Sequence, residues 1–264
     1  MQIGGKLQAK LGVRWRINMI STICLHRIHE HLTDVPTAYH ELRMTIQLDN
    51  LLQKLIDLNH YNVENNYKTL VTFDDGWKDV LLIPEDFFLQ YNTLQPVIFL
   101  TDAQIRGDLN PLPLHKLYSW MNLNDIKIDG LIKLSISRND LKDLREDDQH
   151  SNLSNLINEV SLKDEYLNYS DIKYLRSNDW IIASHGPEHS DLRFIEDGEL
   201  IQLLSKSLSL LKENNIKAWI AWPEGRWDDR ISKIAKDLGF TKQFGLIEEL
   251  RKGSNLDVEL RKLW

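Results

Sequence analysis

The feature that most constrains this chain is an apolar run at residues 69–73 that stops at two adjacent carboxylates, Asp74 and Asp75, followed by Gly76. The run predicts a buried strand that carries both acids to its C-terminal end. Neighbouring carboxylates repel each other and lose hydration when buried, so they are stable together mainly if they share a cation or a proton. We favour a metal ion, and an ordinary Asp-Asp-Gly turn after a strand is the alternative.

Composition limits what such a metal site can be made of. Cys24 is the single cysteine, which excludes an internal disulfide and any zinc site built from several cysteines. The ligands must therefore be histidine, aspartate or glutamate. The net charge of −7 is spread over segments of mixed sign, so we expect no nucleic-acid partner.

The N-terminal segment superficially resembles a secretory signal, with basic residues before the apolar run 17–25. That run contains Asn18, Ser21 and Thr22 and lacks a small-x-small cleavage site, so we reject this interpretation. No stretch approaches the roughly 20 apolar residues that span a bilayer. We expect a cytoplasmic protein with no membrane span, although an extracytoplasmic protein trimmed of its leader would look the same.

The order of the predicted elements is that of an α/β protein. Strands are expected at 17–25, 69–73, 97–100, 181–183 and 218–222, with amphipathic helices at 48–56, 196–212 and 231–238. Alternation of this kind favours parallel strands joined by helices. Residues 103–165 are polar and predict a mostly helical insertion within a single domain that covers residues 1–264.

Several predicted strands end in polar, potentially reactive residues. His26, Asp74-Asp75, His185 and the segment 223–225 each follow a strand. Parallel α/β folds bring the C-terminal ends of their strands to one face, so these four segments should meet there.

His185 and His189 are four residues apart, and Gly186-Pro187 predicts a helical turn between them that would put both imidazoles on one side. Two histidines and a carboxylate from another strand form the open three-ligand site of a catalytic zinc. We predict Asp75, His185 and His189 as ligands of Zn²⁺, with Co²⁺ or Ni²⁺ as alternatives. A metal cluster at His26, His29 and His31 is another hypothesis, but its spacing fits no standard pattern.

The motif at 72–76, taken with His185-x-x-x-His189, resembles the polysaccharide deacetylases, the NodB-homology family of carbohydrate esterases (family four). Residues 25–28 resemble a Tyr-His-Arg-Ile segment of that family, and residues 222–225 resemble its Trp/Tyr-Pro-Tyr-Gly motif. The likeness is closest to the permuted branch that includes poly-N-acetylglucosamine deacetylases.

This resemblance implies a distorted (β/α)₇ barrel and metal-dependent removal of an N-acetyl group from an amino sugar of a polysaccharide, an oligosaccharide or a glycan intermediate. Asp74 matches the catalytic base, and a backbone N–H of the loop 222–225 would hold the oxyanion. Residues 260–263 resemble a Leu-Pro-Arg-Ile ending, in which Arg261 would pair with Asp74. His26 is the predicted general acid, because it closes a strand and matches the histidine of the Tyr-His-Arg-Ile segment.

Two departures from the family pattern stand out. Glu224 replaces the usual tyrosine, and no histidine follows His189 to supply a late Leu-x-His acid. We expect Trp77 and the segment Trp222, Pro223, Glu224 and Gly225 to bind substrate, with plain core packing as the alternative for the tryptophans. A non-catalytic carbohydrate-binding protein and a metal-dependent amidase or esterase with a non-sugar acyl substrate remain the rival functions.

Overall fold

The computed structural model describes residues 22–247 and 257–264, so part of the first predicted strand, residues 17–21, lies outside the described residues. The strands are β1 (Thr22–Leu25), β2 (Arg27–His29), β3 (Thr45–Gln47), β4 (Thr69–Phe73), β5 (Leu94–Leu100), β6 (Ile181–Ser184), β7 (Trp219–Ala221), β8 (Lys242–Leu246) and β9 (Val258–Leu263). The α-helices are α1 (Thr37–Glu41), α2 (Leu48–Asn65), α3 (Phe87–Gln90), α4 (Asp102–Ile105), α5 (Pro113–Leu123), α6 (Arg138–Lys142), α7 (Glu146–Ile157), α8 (Tyr169–Ser177), α9 (Asp197–Glu213) and α10 (Asp229–Leu238). Short 3₁₀ helices cover Leu32–Asp34, Lys78–Leu82, Ile128–Leu134, Lys163–Glu165, Leu192–Phe194 and Pro223–Gly225.

Seven parallel strands close into a barrel in the order β1-β4-β5-β6-β7-β8-β9, with β9 paired back to β1. This confirms the predicted distorted (β/α)₇ barrel. The other two strands, β2 and β3, form a separate parallel pair. Among the described residues no helix has the length and apolar character needed to cross a bilayer.

Closure of the barrel depends on two strands that the sequence did not predict, β8 and β9. Charged and polar residues interrupt both, Lys242 and Gln243 in β8 and Glu259, Arg261 and Lys262 in β9, so neither stands out as an apolar run. They form strands because each pairs with a neighbouring strand. Ala221 of β7 pairs with Phe244 of β8, and Leu246 of β8 pairs with Arg261 of β9. The barrel interior holds Phe99 and Phe244 with their rings 5.3 Å apart.

The insertion 103–165 consists of helices and turns, and it has an apolar core of its own. That core includes Leu117, Met121 and Ile157 from the insertion and Tyr39 and Trp77 from outside it. Because Trp77 comes directly after the Asp-Asp-Gly motif, the insertion packs over the end of β4.

Candidate functional site

The four polar strand ends meet in one cavity of about 200 Å³ at the C-terminal end of the barrel. His26, Asp74-Asp75, His185 and Glu224-Gly225 all line it. The walls also contain side chains that strand-end reasoning missed. Five come from the insertion, Leu114, His115, Tyr118, Arg138 and Lys142, and four from elsewhere, Leu42, Met44, Leu246 and Leu263.

A left-handed turn at the end of β4 presents the two carboxylates. Asp75 has φ +70° and Gly76 has φ +67°, so the strand does not continue as a pleat after Asp74. A Cβ atom added at Gly76 would lie 2.6 Å from Leu100 Cδ2. Glycine therefore suits this position both because a larger residue would crowd Leu100 and because φ is positive. Gln104 Nε2 donates to the Asp75 carbonyl at 2.7 Å and holds this turn. Asp75, a proposed ligand, has an uncommon backbone conformation, and the hydrogen bond from Gln104 helps to hold it there.

Asp75, His185 and His189 form a buried cluster suited to a cation. Asp75 Oδ1 lies 3.3 Å from His185 Nε2 and 3.2 Å from His189 Nε2, yet it has no hydrogen bond of acceptable geometry. His185 Nδ1 donates to the Ala221 carbonyl at 3.0 Å, which leaves the Nε2 lone pair directed at the cluster. A buried carboxylate oxygen without a partner, facing two imidazole nitrogens, fits a divalent ion.

The two histidines do not reach this position through a helical turn, so that prediction was wrong. Residues 185–190 are irregular, because Gly186 has φ +91° and turns the chain away from a helical path. The His189 N–H instead donates to Glu146 Oε2 of α7 at 3.2 Å. The insertion therefore helps to place one of the proposed ligands.

Asp74 is held by Arg261 on β9. The guanidinium binds both carboxylate oxygens, at 2.5 and 2.9 Å, and Arg261 is fully buried. Burial raises the pKa of Asp74, but the charge and hydrogen bonds of Arg261 together with nearby His185 and His26 outweigh it and lower that pKa to about 2. Asp74 is therefore ionised throughout the neutral range.

His26 lies half-buried between β1 and β2, with a ring nitrogen within 4.8 Å of an Asp74 carboxylate oxygen. Burial lowers its pKa, while the charges of Asp75 and Asp74 act in the opposite direction. His29 and His31, the other histidines of this segment, do not line the cavity.

His115 contacts the second oxygen of Asp75. Its Nε2 lies 3.4 Å from Asp75 Oδ2, and its Nδ1 lies 2.6 Å from the Tyr166 hydroxyl. The Leu112 N–H donates to that hydroxyl at 3.4 Å, and burial raises the pKa of Tyr166, so the phenol keeps its proton and donates to Nδ1. The His115 Nε2–H consequently points to Asp75. No motif or strand end marks His115 in the sequence.

Glu224 forms an ion pair with Lys142 of α6. Burial raises the pKa of Glu224, but Lys142 together with His189 and Arg138 outweighs it and lowers that pKa to about 2, so the carboxylate is charged and partly balanced by the insertion. Glu224 has φ +54° and Gly225 has φ +66°; a Cβ atom on Gly225 would lie 2.4 Å from Leu246 Cγ. The loop is therefore sharply bent and tightly packed.

The expectation that Trp77 and Trp222 stack on a sugar is wrong, since both are buried. The Trp77 ring stacks on Tyr166 at 4.7 Å, and the guanidinium of Arg27 lies 3.9 Å from the centre of the ring. Trp222 has no exposed surface and packs in the main core, and Pro223 is buried beside it. These residues support the site and have no free face to offer a ligand.

Comparison with known proteins agrees with this geometry. Residues 150–242 match the family model described as polysaccharide deacetylase, which confirms the resemblance. The fold is similar to a deacetylase PplD of Streptococcus pyogenes solved with acetate (15% identity, 93% of this chain and 92% of that chain, TM-score 0.55). It is also similar to a de-N-acetylase of Aggregatibacter actinomycetemcomitans (14% identity, 92% of this chain and 93% of that chain, TM-score 0.52). A third similar structure is IcaB of Ammonifex degensii (15% identity, 92% of this chain and 90% of that chain, TM-score 0.51). No curated protein matches the sequence.

We expect His115→Phe to weaken binding of Zn²⁺ by about 10- to 100-fold, because it removes the donor that orients Asp75. His115→Gln, which keeps an N–H donor, should retain most of the affinity, and His60→Phe on the exposed side of α2 serves as the matched control. Competition with a chromophoric chelator measures the dissociation constants. Equal affinity in His115→Phe and the parent would show that the contact with Asp75 has no orienting role.

Binding of a divalent ion should strengthen as the pH rises. Burial lowers the pKa of His189, but contact with Asp75 more than compensates and raises it to about 9, so the ion must displace a proton at neutral pH. Affinity should therefore increase by close to tenfold per pH unit below about pH 9. Calorimetry in two buffers of different ionisation enthalpy should detect about one proton released per ion; no release would contradict this.

Proposed function

We propose that this protein is a metal-dependent N-deacetylase that hydrolyses the N-acetyl group of an amino sugar in a polysaccharide, an oligosaccharide or a glycan intermediate. The observation that carries the proposal is the convergence of His185 and His189 on a buried Asp75 oxygen that has no hydrogen bond of acceptable geometry, next to Asp74 held by Arg261. The family-model match and the deacetylases among the similar structures support the same reaction.

The three proposed ligands suit Zn²⁺, and Co²⁺ or Ni²⁺ are the alternatives. An ion held there would polarise the acetamide carbonyl and lower the pKa of a water molecule towards neutrality. The protein's part is to keep the ligands in place. The Ala221 carbonyl fixes the tautomer of His185, Glu146 holds the backbone of His189, and His115 contacts Asp75.

Asp74 is the proposed base that accepts the proton of the attacking water. Arg261 binds both of its oxygens and so keeps it ionised and oriented. The same ion pair makes Asp74 a weak base, so it would hold the proton of the attacking water only briefly.

The loop 222–225 is the proposed source of the oxyanion donor. The Gly225 N–H already donates to the Trp222 carbonyl at 2.8 Å, so we assign the role to the N–H of Glu224. This assignment is independent of the Glu224 side chain, whose charge is partly balanced by Lys142.

His26 is the proposed acid that protonates the leaving amine. It lines the cavity from β1, beside Asp74, and is the cavity histidine that contacts neither the proposed ligand set nor the insertion core. An amine leaves readily only when it is protonated, and the protonated form of His26 would supply that proton, although burial lowers its pKa and so reduces the protonated fraction.

The activity can be tested directly on the purified protein. Loaded with about one equivalent of Zn²⁺, Co²⁺ or Ni²⁺, it should release acetate from N-acetylglucosamine oligomers or a related saccharide; a chelator should stop the release and the metal should restore it. Asp74→Asn, with its metal retained, is the inactive control. No acetate from a broad panel of N-acetylated saccharides at full metal loading would contradict the proposal. Binding without hydrolysis would indicate a carbohydrate-binding protein instead.

His26→Ala should keep its fold and its metal while losing about 10²- to 10⁴-fold in kcat. His185→Ala is the contrasting variant, since it should lose the metal. The measurements are metal content, circular dichroism and the pH profile of kcat. A near-normal kcat with an unchanged basic limb would refute the assignment, and His115 would then be the remaining cavity histidine to examine.

A further inference from the structure

An apolar groove of about 640 Å³ adjoins the catalytic cavity. The two share Leu42 and Arg138 in their walls, so they adjoin each other at these residues. The groove lies along the 3₁₀ helix Ile128–Leu134 of the insertion and the segment after it. Its apolar walls are Leu42, Ile128, Leu131, Ile132 and Ile136, and Asp129, Ser135, Ser137 and Asn139 line it together with Arg138. Ile132 is 78% exposed at its edge. A contiguous apolar surface that opens into a catalytic cavity is a feature of ligand sites.

Arg138 lies where the groove meets the cavity. Its Nε donates to the Tyr118 hydroxyl at 2.5 Å, and no carboxylate of the described residues lies within 4.0 Å of its guanidinium. Other cations around the cavity mouth are paired: Lys142 with Glu224, and Arg226 with Asp143 and Asp191. The charge of Glu224 acts on Arg138 from a greater distance, but no carboxylate in the part of the chain that the structure describes occupies the terminal nitrogens of Arg138, so they can bind an anion.

An anionic group of the substrate that lies between the sugar site and the apolar groove must be bonded to both the sugar and the apolar substituent and still keep its charge. A carboxylate loses its charge when it forms an ester, whereas a phosphate that joins two groups as a diester remains anionic. Arginine binds phosphate oxygens through two parallel N–H donors. The chemistry that matches both Arg138 and the groove is therefore a phosphodiester with an apolar substituent.

We propose that the substrate is an N-acetylhexosamine carried on a lipid through a phosphate group. The inference rests on the proposed function and deepens it. The acetamide reaches Asp75, the cavity of about 200 Å³ takes a single sugar ring, the phosphate binds Arg138, and the lipid chain lies in the groove. The reaction itself is unchanged: water adds to the acetyl carbonyl, the C–N bond breaks, and acetate and the amine leave.

Four soluble substrates separate the contributions of phosphate and chain. They are N-acetylglucosamine as its methyl glycoside, its octyl glycoside, its 1-(methyl phosphate) and its 1-(octyl phosphate), each used below its micellar concentration. The phosphate should raise kcat/KM for acetate release by about tenfold through charged hydrogen bonds. The octyl chain should add about tenfold more through burial of methylene groups, so the octyl phosphate should be the best substrate.

Variants assign each gain to its residue. Arg138→Gln should reduce the gain from phosphate to nearly nothing, and Ile132→Ser should reduce the gain from the octyl chain at least threefold. Leu123→Ser is the matched control, because Leu123 is 77% exposed on α5 of the same insertion but lies outside the groove. It should leave both gains as they are in the parent.

The outcomes separate this inference from the proposed function. Equal kcat/KM on all four substrates, or a preference for neutral N-acetylglucosamine oligomers, would overturn the inference and leave the deacetylase activity standing. If no substrate releases acetate, calorimetry still tests the inference. The affinity for N-acetylglucosamine 1-(octyl phosphate) should be about tenfold weaker in Arg138→Gln than in the parent protein. Equal binding to that variant and the parent would overturn the inference independently of catalysis.

Discussion

The rest of the structure depends on how two adjacent carboxylates are accommodated at the buried end of β4. Asp74 is neutralised by Arg261, while Asp75 faces three imidazoles, from His115, His185 and His189. A buried carboxylate without such partners would cost several kcal/mol. Arg261 reaches Asp74 because β9 pairs with β1 and closes the barrel. The pairing that closes the barrel therefore also brings the positive charge that neutralises Asp74.

The insertion is part of the site and not an appendage to the barrel. Trp77, directly after Gly76, stacks on Tyr166, and the Leu167 N–H donates to the Gly76 carbonyl at 2.9 Å. These contacts tie the Asp-Asp-Gly turn to the end of the insertion. Through the same packing the insertion delivers His115 to Asp75 and Glu146 to the backbone of His189. A loss of packing in the insertion would therefore reach the proposed metal ligands.

The insertion also sets the charge at the cavity mouth. Lys142 pairs with Glu224 and offsets part of its charge, which still acts on the proposed ligand His189 and helps to raise the pKa of that imidazole. Arg138, four residues earlier on the same helix, has no such partner among the described residues and faces a continuous apolar groove. The same short helix thus pairs one cation with a carboxylate and leaves another without an ion pair, and the proposed anionic, apolar substrate rests on this difference.

Local sequence determined the strand at 69–73, the alternation of strands and helices, and the residues that close the strands, because apolar periodicity and strand-end acids are readable within a few positions. Motif resemblance added Arg261, which no local pattern marks. Tertiary structure alone decided the rest. The strand β8 exists because it lies between β7 and β9, Trp77 and Trp222 are core residues because neighbours cover them, and His189 is placed by a contact with Glu146 and not by a helix. His115, Arg138 and Lys142 gain their roles only when residues far apart in the chain pack together, and no spacing in the sequence encodes that proximity.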